Sequence, residues 1–359
     1  MTRLVILLLL LACAASDSAS RMHGTRLSCG EPPPPGESTA PAMASSRPAP
    51  GPLHVVADVP LPGPPVRFDY QSLDTVSGRL YLAHMGAGEL VVVDTKTNQV
   101  VGVVSGLPGV TGVWAVPELG RVYASATGLH RVAIIDSRTL RIVTRVGPIG
   151  FPDGITYVPS VKKVFVSDES GGGELVIDAT RDSATGTIPL GGEAGNTVYD
   201  PGSGCVLVAV QTRNEVVAIN PTTEHLVGRF PVAGARRPHG LAVAAAQRKL
   251  FIANEGNATL SVMDLRTVSV IGRYPVGEDP DVLAFDAGWQ RLYVAAESGH
   301  VTVFELRGDS LARVAALSMP AAHSVSVAPR THLVYFPLKN VNGRPVLRIM
   351  AAGAPASPP

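Results

Sequence analysis

Acid and imidazole side chains recur along this chain at positions about 42 residues apart or at twice that interval. Asp69 and Asp153 are followed by His239, Asp281 and His323. Carboxylates and imidazoles bind divalent metal ions, and they also act as general acids and bases. The spacing indicates one of these chemistries, provided that the fold brings one residue from each repeat to a common point.

A sevenfold repeat supplies such a fold. Equivalent strands open at Arg79-Leu80-Tyr81, Arg121-Val122-Tyr123, Lys163-Val164-Phe165, Cys205-Val206-Leu207, Lys249-Leu250-Phe251, Arg291-Leu292-Tyr293 and His332-Leu333-Val334. Successive openings are 42, 42, 42, 44, 42 and 41 residues apart. Each unit contains four short β-branched runs separated by turn residues, which is typical of a propeller blade. The sequence therefore predicts an all-β, seven-bladed β-propeller with four antiparallel strands per blade.

The two ends of the repeat predict how the ring closes. The last unit runs into an Ala-Pro-Ser tail without a fourth strand, whereas Asp58-Val59-Pro60-Leu61 matches fourth-strand motifs such as Arg273-Tyr274-Pro275-Val276. We therefore expect an N-terminal strand to complete the seventh blade. Such closure removes the exposed strand edges that otherwise invite aggregation.

The repeats resemble a known family. Arg79-Leu80-Tyr81-Leu82-Ala83, Lys249-Leu250-Phe251-Ile252-Ala253-Asn254 and Leu260-Ser261-Val262-Met263-Asp264 look like the YVTN/YncE-like repeats of exported bacterial and archaeal propellers. The resemblance covers about residues 53–350 and implies the seven-bladed fold. It implies no single activity, because related propellers include lactonases, a lyase and binding modules, and a fold does not fix a function.

The repeat register places a set of polar residues on one face of the propeller, where a funnel leads to the central channel. At the entry to the innermost strands the equivalent positions are Asp69, Thr111, Asp153, Gly195, His239, Asp281 and His323. The ends of the second strands are His84, Ala126, Asp168, Val210, Asn254, Ala296 and Pro337. The turns that follow add His130, Glu169, Glu255, Glu297 and His300.

These positions define the candidate site. The candidate ligands for a divalent metal ion (Zn, Mn or Ca) are His84, His239, Asp281 and His323, with Asp153 as a further member of the ring. The candidate ligand-binding residues are Asp69, Thr111, Asp153, Asn254 and Arg237. Glu255 or Asp168 would move a proton in a catalytic version of the site.

Three interpretations of this face stay open at the level of the sequence. The first is a binding module that takes a small molecule or a protein partner in the funnel. The second is a metal-dependent hydrolase, lactonase or lyase. In the third the polar groups serve as turn residues or hold water in a polar channel. The sequence contains no Gly-x-Ser-x-Gly elbow and no Cys-x-x-Cys motif, which disfavours Ser or Cys nucleophiles and covalent haem.

The N-terminal region predicts export. Residues 1–12 contain a short cationic start and a nine-residue apolar run, which suits a signal peptide and is too short to span a bilayer. Leu10-Leu11-Ala12-Cys13 resembles a lipobox, so we expect a periplasmic or cell-surface protein held by a lipid anchor at Cys13; an ordinary signal cleaved nearby is the alternative. Residues 13–52, rich in Ser, Ala and Pro, predict an extended tether, and 351–359 a disordered tail.

Charge and cysteine content narrow the partners further. Thirty basic and twenty-nine acidic residues give a net charge of +1, so we expect no nucleic-acid partner and no membrane contact beyond the anchor. Apart from Cys13, the cysteines are Cys29 in the tether and Cys205 in an apolar run. Because these two lie so far apart in the sequence, we expect no internal disulfide between them.

Overall fold

A computed structural model describes residues 27–30 and 53–352. These residues form seven four-stranded antiparallel sheets arranged as a seven-bladed β-propeller, so the predicted fold class is confirmed. The described residues contain no helix that is long and apolar enough to cross a bilayer.

The strands follow the repeat. Blades one to three contain β2 (Gln71–Asp74), β3 (Arg79–His84), β4 (Glu89–Asp94), β5 (Gln99–Ser105), β6 (Val110–Val116), β7 (Arg121–Ala126), β8 (Arg131–Asp136), β9 (Ile142–Val146), β10 (Pro152–Val158), β11 (Lys163–Asp168), β12 (Gly173–Asp178) and β13 (Ser183–Pro189). Blades four to six contain β14 (Ala194–Asp200), β15 (Cys205–Val210), β16 (Glu215–Asn220), β17 (His225–Pro231), β18 (Pro238–Ala244), β19 (Lys249–Asn254), β20 (Thr259–Asp264), β21 (Ser269–Pro275), β22 (Pro280–Asp286), β23 (Arg291–Ala296), β24 (His300–Arg307) and β25 (Ser310–Ser318).

Blade seven is built from both ends of the chain. It contains β26 (Ser326–Val327), β27 (Val334–Val341), β28 (Arg344–Ala352) and, as its outermost strand, β1 (Leu53–Pro60). The pairing of β1 with β28 is antiparallel, and Arg348 donates two hydrogen bonds to the Asp58 carboxylate across it, at 2.8 and 2.6 Å. The predicted closure of the ring by an N-terminal strand is therefore confirmed.

Short 3-10 turns join some of the strands. They span Met85–Ala87, Pro117–Leu119, Thr127–Leu129, Gln211–Arg213 and Glu255–Asn257. Four of the five follow a second strand on the funnel face, and Glu255 begins the last of them.

The core lies between the blades. The middle strands, such as β3 and β4, are buried along nearly their whole length, because each blade is covered on both faces by its neighbours. The outermost strands alternate instead between exposed and half-buried residues, as in β17 and β21. This explains why the middle runs read as continuous apolar stretches rather than as alternating strands.

A disulfide between Cys29 and Cys205 shows that the expectation of no internal bridge is wrong. The two cysteines are 176 residues apart in the sequence. Residues 27–30 nevertheless lie against blade four, beside the start of β15, where Cys205 is the first residue. Leu27 and Cys29 are buried in the apolar cluster between blades four and five, and the Cys29 backbone N–H donates to the Ser203 carbonyl at 2.8 Å. This part of the predicted tether therefore contacts the propeller. The rest of the tether, the signal peptide, Cys13 and the residues beyond 352 lie outside the described residues.

Candidate functional site

The inner strands all begin at one end of the central channel, and the predicted ring of polar residues lies there. Asp153, His239 and Asp281 are the second residues of β10, β18 and β22. Asp69 and His323 lie just before β2 and β26. All five side chains belong to residues less than a tenth exposed. We call this end of the channel the ring end.

The backbone explains why Gly follows several ring residues. Three inner strands carry Thr111-Gly112, Asp153-Gly154 and His239-Gly240. A Cβ on Gly240 would lie 1.7 Å from the Asp281 carbonyl oxygen. In these strands the pairing register shifts just after the ring residue, for example between Pro238 and Leu241, so a local bulge sets the position of the side chain. Close approach of neighbouring backbones therefore draws the ring residues together.

His239 lies among three carboxylates. Its Nε2 is 3.5 Å from Asp281 Oδ1 and 3.8 Å from Asp153 Oδ2, and its Nδ1 is 3.6 Å from Glu255 Oε1. Burial opposes the charge on this imidazole, but the carboxylates of Glu255, Asp281 and Asp153 outweigh that effect and raise the pKa of His239 to about 9. Without a bound cation, this histidine is the positive charge at the centre of an acidic cluster.

Tyr70 joins this cluster, although the repeat register did not point to it. Its hydroxyl donates to Asp153 Oδ2 at 3.4 Å and lies 3.1 Å from His239 Nε2. Because the hydroxyl has only one proton and gives it to Asp153, the Nε2–H of His239 donates to Tyr70. The equivalent positions in the other blades are small or aliphatic: Gly112, Gly154, Asn196, Gly240, Val282 and Ser324. That contrast is the sequence signal that could have identified Tyr70.

A second cluster lies on the other side of Asp281. The carboxylates of Asp69 and Asp281 approach the His323 ring, and one ligand atom from each of the three lies within 4.8 Å of the other two. Burial raises the pKa of Asp69 well above its usual range and that of Asp281 to about 7. Burial and the nearby Arg67 guanidinium lower the pKa of His323 to about 4. Its imidazole is therefore neutral at physiological pH, as a metal ligand must be. The His239 imidazole is protonated without a cation, so a metal ion binds it only by displacing the proton on the nitrogen it occupies.

The described residues thus hold two potential metal triads that share Asp281. One is Asp69–Asp281–His323 and the other is His239–Glu255–Asp281, and in each the three ligand atoms lie within 4.8 Å of one another. His323 Nε2, His239 Nδ1 and Asp281 Oδ1 are buried and have no hydrogen-bond partner. Buried polar atoms without partners are uncommon, and a cation is one way to satisfy such a set.

Arginines line the rim of the ring end. Arg67 lies 2.8 Å from Glu297 Oε1 and 3.6 Å from Asp69 Oδ2. Arg237 lies 3.2 Å from Glu193 Oε2 and 3.8 Å from Glu255 Oε2. Both guanidiniums are more than a third exposed, so they are reachable from solvent while they also face the carboxylates.

Two residues that the sequence analysis placed in the candidate site, His84 and Asp168, lie outside both triads. His84 belongs to neither triad: its ring stacks on Phe68 with centroids 4.1 Å apart, and Nδ1 is 3.7 Å from Glu89 Oε1. Asp168 accepts backbone N–H groups from Gly150, Phe151 and Gly171 at 2.7–2.9 Å, and it therefore fixes the loop before β10. Both side chains support segments that lead into the ring.

Two of the predicted ligand-binding residues, Thr111 and Asn254, form hydrogen bonds with nearby protein groups. The Thr111 hydroxyl donates to the Pro152 carbonyl at 2.9 Å, which links blades two and three. The Asn254 amide donates to Ser261 Oγ at 2.9 Å, while its Oδ1 is buried without a partner. Of the predicted site residues, the structure groups Asp69, Asp153, His239, Glu255, Asp281 and His323 around the channel axis, with Arg237 at the rim.

Tyr70 lies between the ring end and an uncharged cavity of the central channel. Beyond it, toward the other end of the inner strands, the channel contains a cavity of about 330 Å³ whose walls include Trp114, Asn196 and Phe285. None of the described residues that line this cavity is charged. The wall of this cavity therefore contrasts with the acidic and imidazole groups of the ring end.

Comparisons with known proteins support the fold. No family model matches the chain, and no curated protein matches it. Among solved structures it is similar to a chain of the Kuenenia stuttgartiensis hydrazine synthase, with a TM-score of 0.69 and 16% identity over 80% of this chain and 96% of that chain. At this identity the likeness shows the fold alone. The chain is therefore a seven-bladed β-propeller with a ring end lined by carboxyl and imidazole groups.

Proposed function

We propose that this chain is an exported, YVTN/YncE-like propeller that binds a small molecule or a protein partner at its ring end through a divalent metal ion. The observation that carries this proposal is the set of buried atoms without a hydrogen-bond partner on His323, His239 and Asp281. Each unsatisfied buried polar group costs about 1–3 kcal/mol. A metal ion would remove that cost and would leave coordination positions open for a ligand.

The donor set favours some ions over others. The triad of Asp69, Asp281 and His323 offers two carboxylates and one imidazole. Zn²⁺ and Mn²⁺ accept such mixed nitrogen and oxygen ligands, whereas Ca²⁺ prefers oxygen alone. The ligands of this triad therefore fit Zn²⁺ and Mn²⁺ better than Ca²⁺. A ligand with an anionic group would also meet the exposed guanidiniums of Arg67 and Arg237 at the rim.

Two observations support export. The disulfide between Cys29 and Cys205 is of the kind that persists in oxidising compartments. The lipobox-like segment before Cys13 adds the proposal of a lipid anchor in the periplasm or at the cell surface. The disulfide lies at the end of blade four opposite the ring end, since Cys205 begins β15 and the ring residues begin the inner strands.

Calorimetric titration of the metal-stripped full chain, purified without a polyhistidine tag, tests this proposal. We expect saturable binding of Zn²⁺ or Mn²⁺, at least tenfold weaker in His323→Asn. His300→Asn is the matched control, because His300 lies on the same face but belongs to neither triad. Absence of binding in a correctly folded wild-type chain, for all of Zn²⁺, Mn²⁺ and Ca²⁺, would disprove the proposal.

A metal-dependent hydrolase, lactonase or lyase is the second candidate. Glu255 favours it, because this carboxylate lies 3.6 Å from His239 and its side chain is 24% exposed, so it can exchange protons with solvent. An ion in the Asp69–Asp281–His323 triad would polarise a carbonyl group or lower the pKa of a bound water. Glu255 suits the proton transfer better than Asp168, whose carboxylate accepts three backbone N–H groups.

A screen of lactones and esters with the metal-loaded chain tests the second candidate. We expect turnover in the wild type and a loss of at least a hundredfold in Glu255→Gln, in line with the usual contribution of a general acid or base. Metal binding without turnover of any substrate would leave the binding module as the function.

A further inference from the structure

The two triads at the ring end do not merge into one. Asp69 and His323 group with Asp281 on one side, and His239 and Glu255 group with it on the other. Among the described residues, no group of ligand atoms within 4.8 Å of one another combines both histidines with Asp281. Asp281 is the only residue common to both groups, and a carboxylate has two oxygens that can bind separate ions.

Each triad contains its own buried imidazole nitrogen without a partner. On one side this atom is His323 Nε2, and the His323 ring also hydrogen-bonds the Phe68 backbone. On the other side it is His239 Nδ1, while Nε2 of the same ring donates to Tyr70, whose hydroxyl donates to Asp153. Metal-binding histidines are usually held in this way through their second nitrogen. Both rings are therefore oriented by contacts outside the triads.

The outer carboxylates are oriented in the same manner. Arg67 faces Oδ2 of Asp69 at 3.6 Å. Arg237 faces Oε2 of Glu255 at 3.8 Å, whereas Oε1 of that residue faces His239. Each guanidinium thus approaches one oxygen of its carboxylate. The arrangement on the two sides of Asp281 is similar: one imidazole, one carboxylate and one arginine behind the carboxylate.

We propose that the Asp281 carboxylate bridges two divalent metal ions, one bound by Asp69 and His323 and the other by His239 and Glu255. This inference rests on the proposed metal-dependent function and deepens it. Glu255 then acts as a metal ligand rather than as a proton carrier. Each ion has three protein ligands and keeps positions open for water or for oxygen atoms of a bound molecule.

The test uses the full chain without a polyhistidine tag, stripped of metal and then loaded with Mn²⁺. Bound Mn is counted by mass spectrometry, and electron paramagnetic resonance shows whether two Mn²⁺ ions are magnetically coupled. We expect two Mn per chain and a coupled spectrum. His323→Asn and Glu255→Gln should each leave one Mn and an uncoupled signal, and Asp281→Asn should abolish the coupling. His300→Asn should keep both ions and the coupling.

The possible outcomes separate this inference from the proposed function. One Mn per chain in the wild type, lost entirely in His323→Asn, would overturn the bridged pair and leave the single-ion function standing. No bound metal in a folded wild-type chain, after loading with Mn²⁺, Zn²⁺ or Ca²⁺ in turn, would overturn both. Glu255 is included because its side chain is partly exposed, so Glu255→Gln should fold even if a substitution of a fully buried histidine does not.

Discussion

At the scale of single residues, the ring end depends on how each imidazole is held. His239 is surrounded by carboxylates, which keep its imidazole protonated, and the Tyr70 hydroxyl contacts Nε2 of the ring. The repeat register could place His239 on the channel, because that position recurs in every blade. It could not show that the Tyr70 side chain reaches from blade one to partners in blades three and five, because this contact joins distant parts of the sequence.

Tyr70→Phe tests this dependence. The substitution removes the hydroxyl that accepts the His239 Nε2–H and leaves the aromatic ring in place. We expect metal affinity to fall tenfold to a hundredfold, as is usual when the group that orients a metal-binding histidine is lost. Tyr157→Phe is the control, because that hydroxyl donates to Glu118 away from the ring end. Equal affinities for both variants would contradict a positioning role for Tyr70.

For the other predicted residues, the sequence indicates the position in the strand but not the contacts of the side chain. The register correctly predicts that Asp168 and His84 end second strands, but it cannot predict their partners. Asp168 turns to the backbone of its own blade, and His84 stacks on Phe68. The pairing of Cys29 with Cys205 was also missed, because distance along the chain says nothing about distance in a closed ring.

At the scale of the strands, close contact between neighbouring inner strands sets the width of the ring. Gly240 of β18 leaves no room for a side chain, since a Cβ would lie 1.7 Å from the Asp281 carbonyl oxygen. Gly240→Ala should therefore destabilise the chain by about 1–3 kcal/mol, as overpacking usually does, and should also displace Asp281. Gly186→Ala on the outer strand β13 is the control, because a Cβ there has no atom within 4 Å. Thermal unfolding of both variants measures the difference; equal Tm values would contradict the expected clash.

A buried carboxyl group on β12 makes a prediction about pH. Glu174 is fully buried, whereas equivalent positions carry apolar residues such as Leu90 and Leu260. Burial raises the pKa of Glu174 well above 4.5, and neither of its carboxyl oxygens has a hydrogen-bond partner among the described residues. Because the folded-state pKa is the higher one, the stability that protonated Glu174 gives is fully present below pH 4.5. This stability is lost as the pH rises through the folded-state pKa. The free energy of unfolding then falls by at most about 1.4 kcal/mol per pH unit.

The substitution Glu174→Leu should remove this pH-dependent loss of folding stability. We expect the variant to gain stability over the wild type as the pH rises from 4.5 to 7, because the wild type alone must keep a buried carboxyl protonated. Denaturant unfolding of both chains at the two pH values, with a chelator present, measures the difference. A difference that stays constant between pH 4.5 and 7 would show that Glu174 does not behave as a buried neutral acid.

At the scale of the whole molecule, the ring is held closed by residues from both ends of the chain. β1 pairs with β28 and supplies the outermost strand of blade seven. The sequence predicted this closure because the fourth-strand motif is missing at one end and present at the other. A chain that begins at residue 62 would expose the edge of β28, so we expect a lower Tm and a tendency to aggregate. That chain also lacks Cys29, and with it the disulfide to Cys205, so the matched control is a chain that begins at residue 31, which keeps β1 and should have the higher Tm.

Size-exclusion chromatography and thermal unfolding distinguish these two truncations. Monomeric behaviour and an unchanged Tm for the chain that begins at residue 62 would mean that β1 does not close the ring. The same comparison tests whether blade seven is as stable as the six blades formed by consecutive strands.

In the function that we propose, the ring end binds divalent metal ions around Asp281. Anomalous X-ray scattering from crystals of the Mn²⁺-loaded chain, recorded near the manganese absorption edge, tests it most directly. We predict anomalous peaks on both sides of the Asp281 carboxylate, one beside His323 Nε2 and one beside His239 Nδ1. A ring end without an anomalous peak, in which these atoms hydrogen-bond only to water, would contradict the claim.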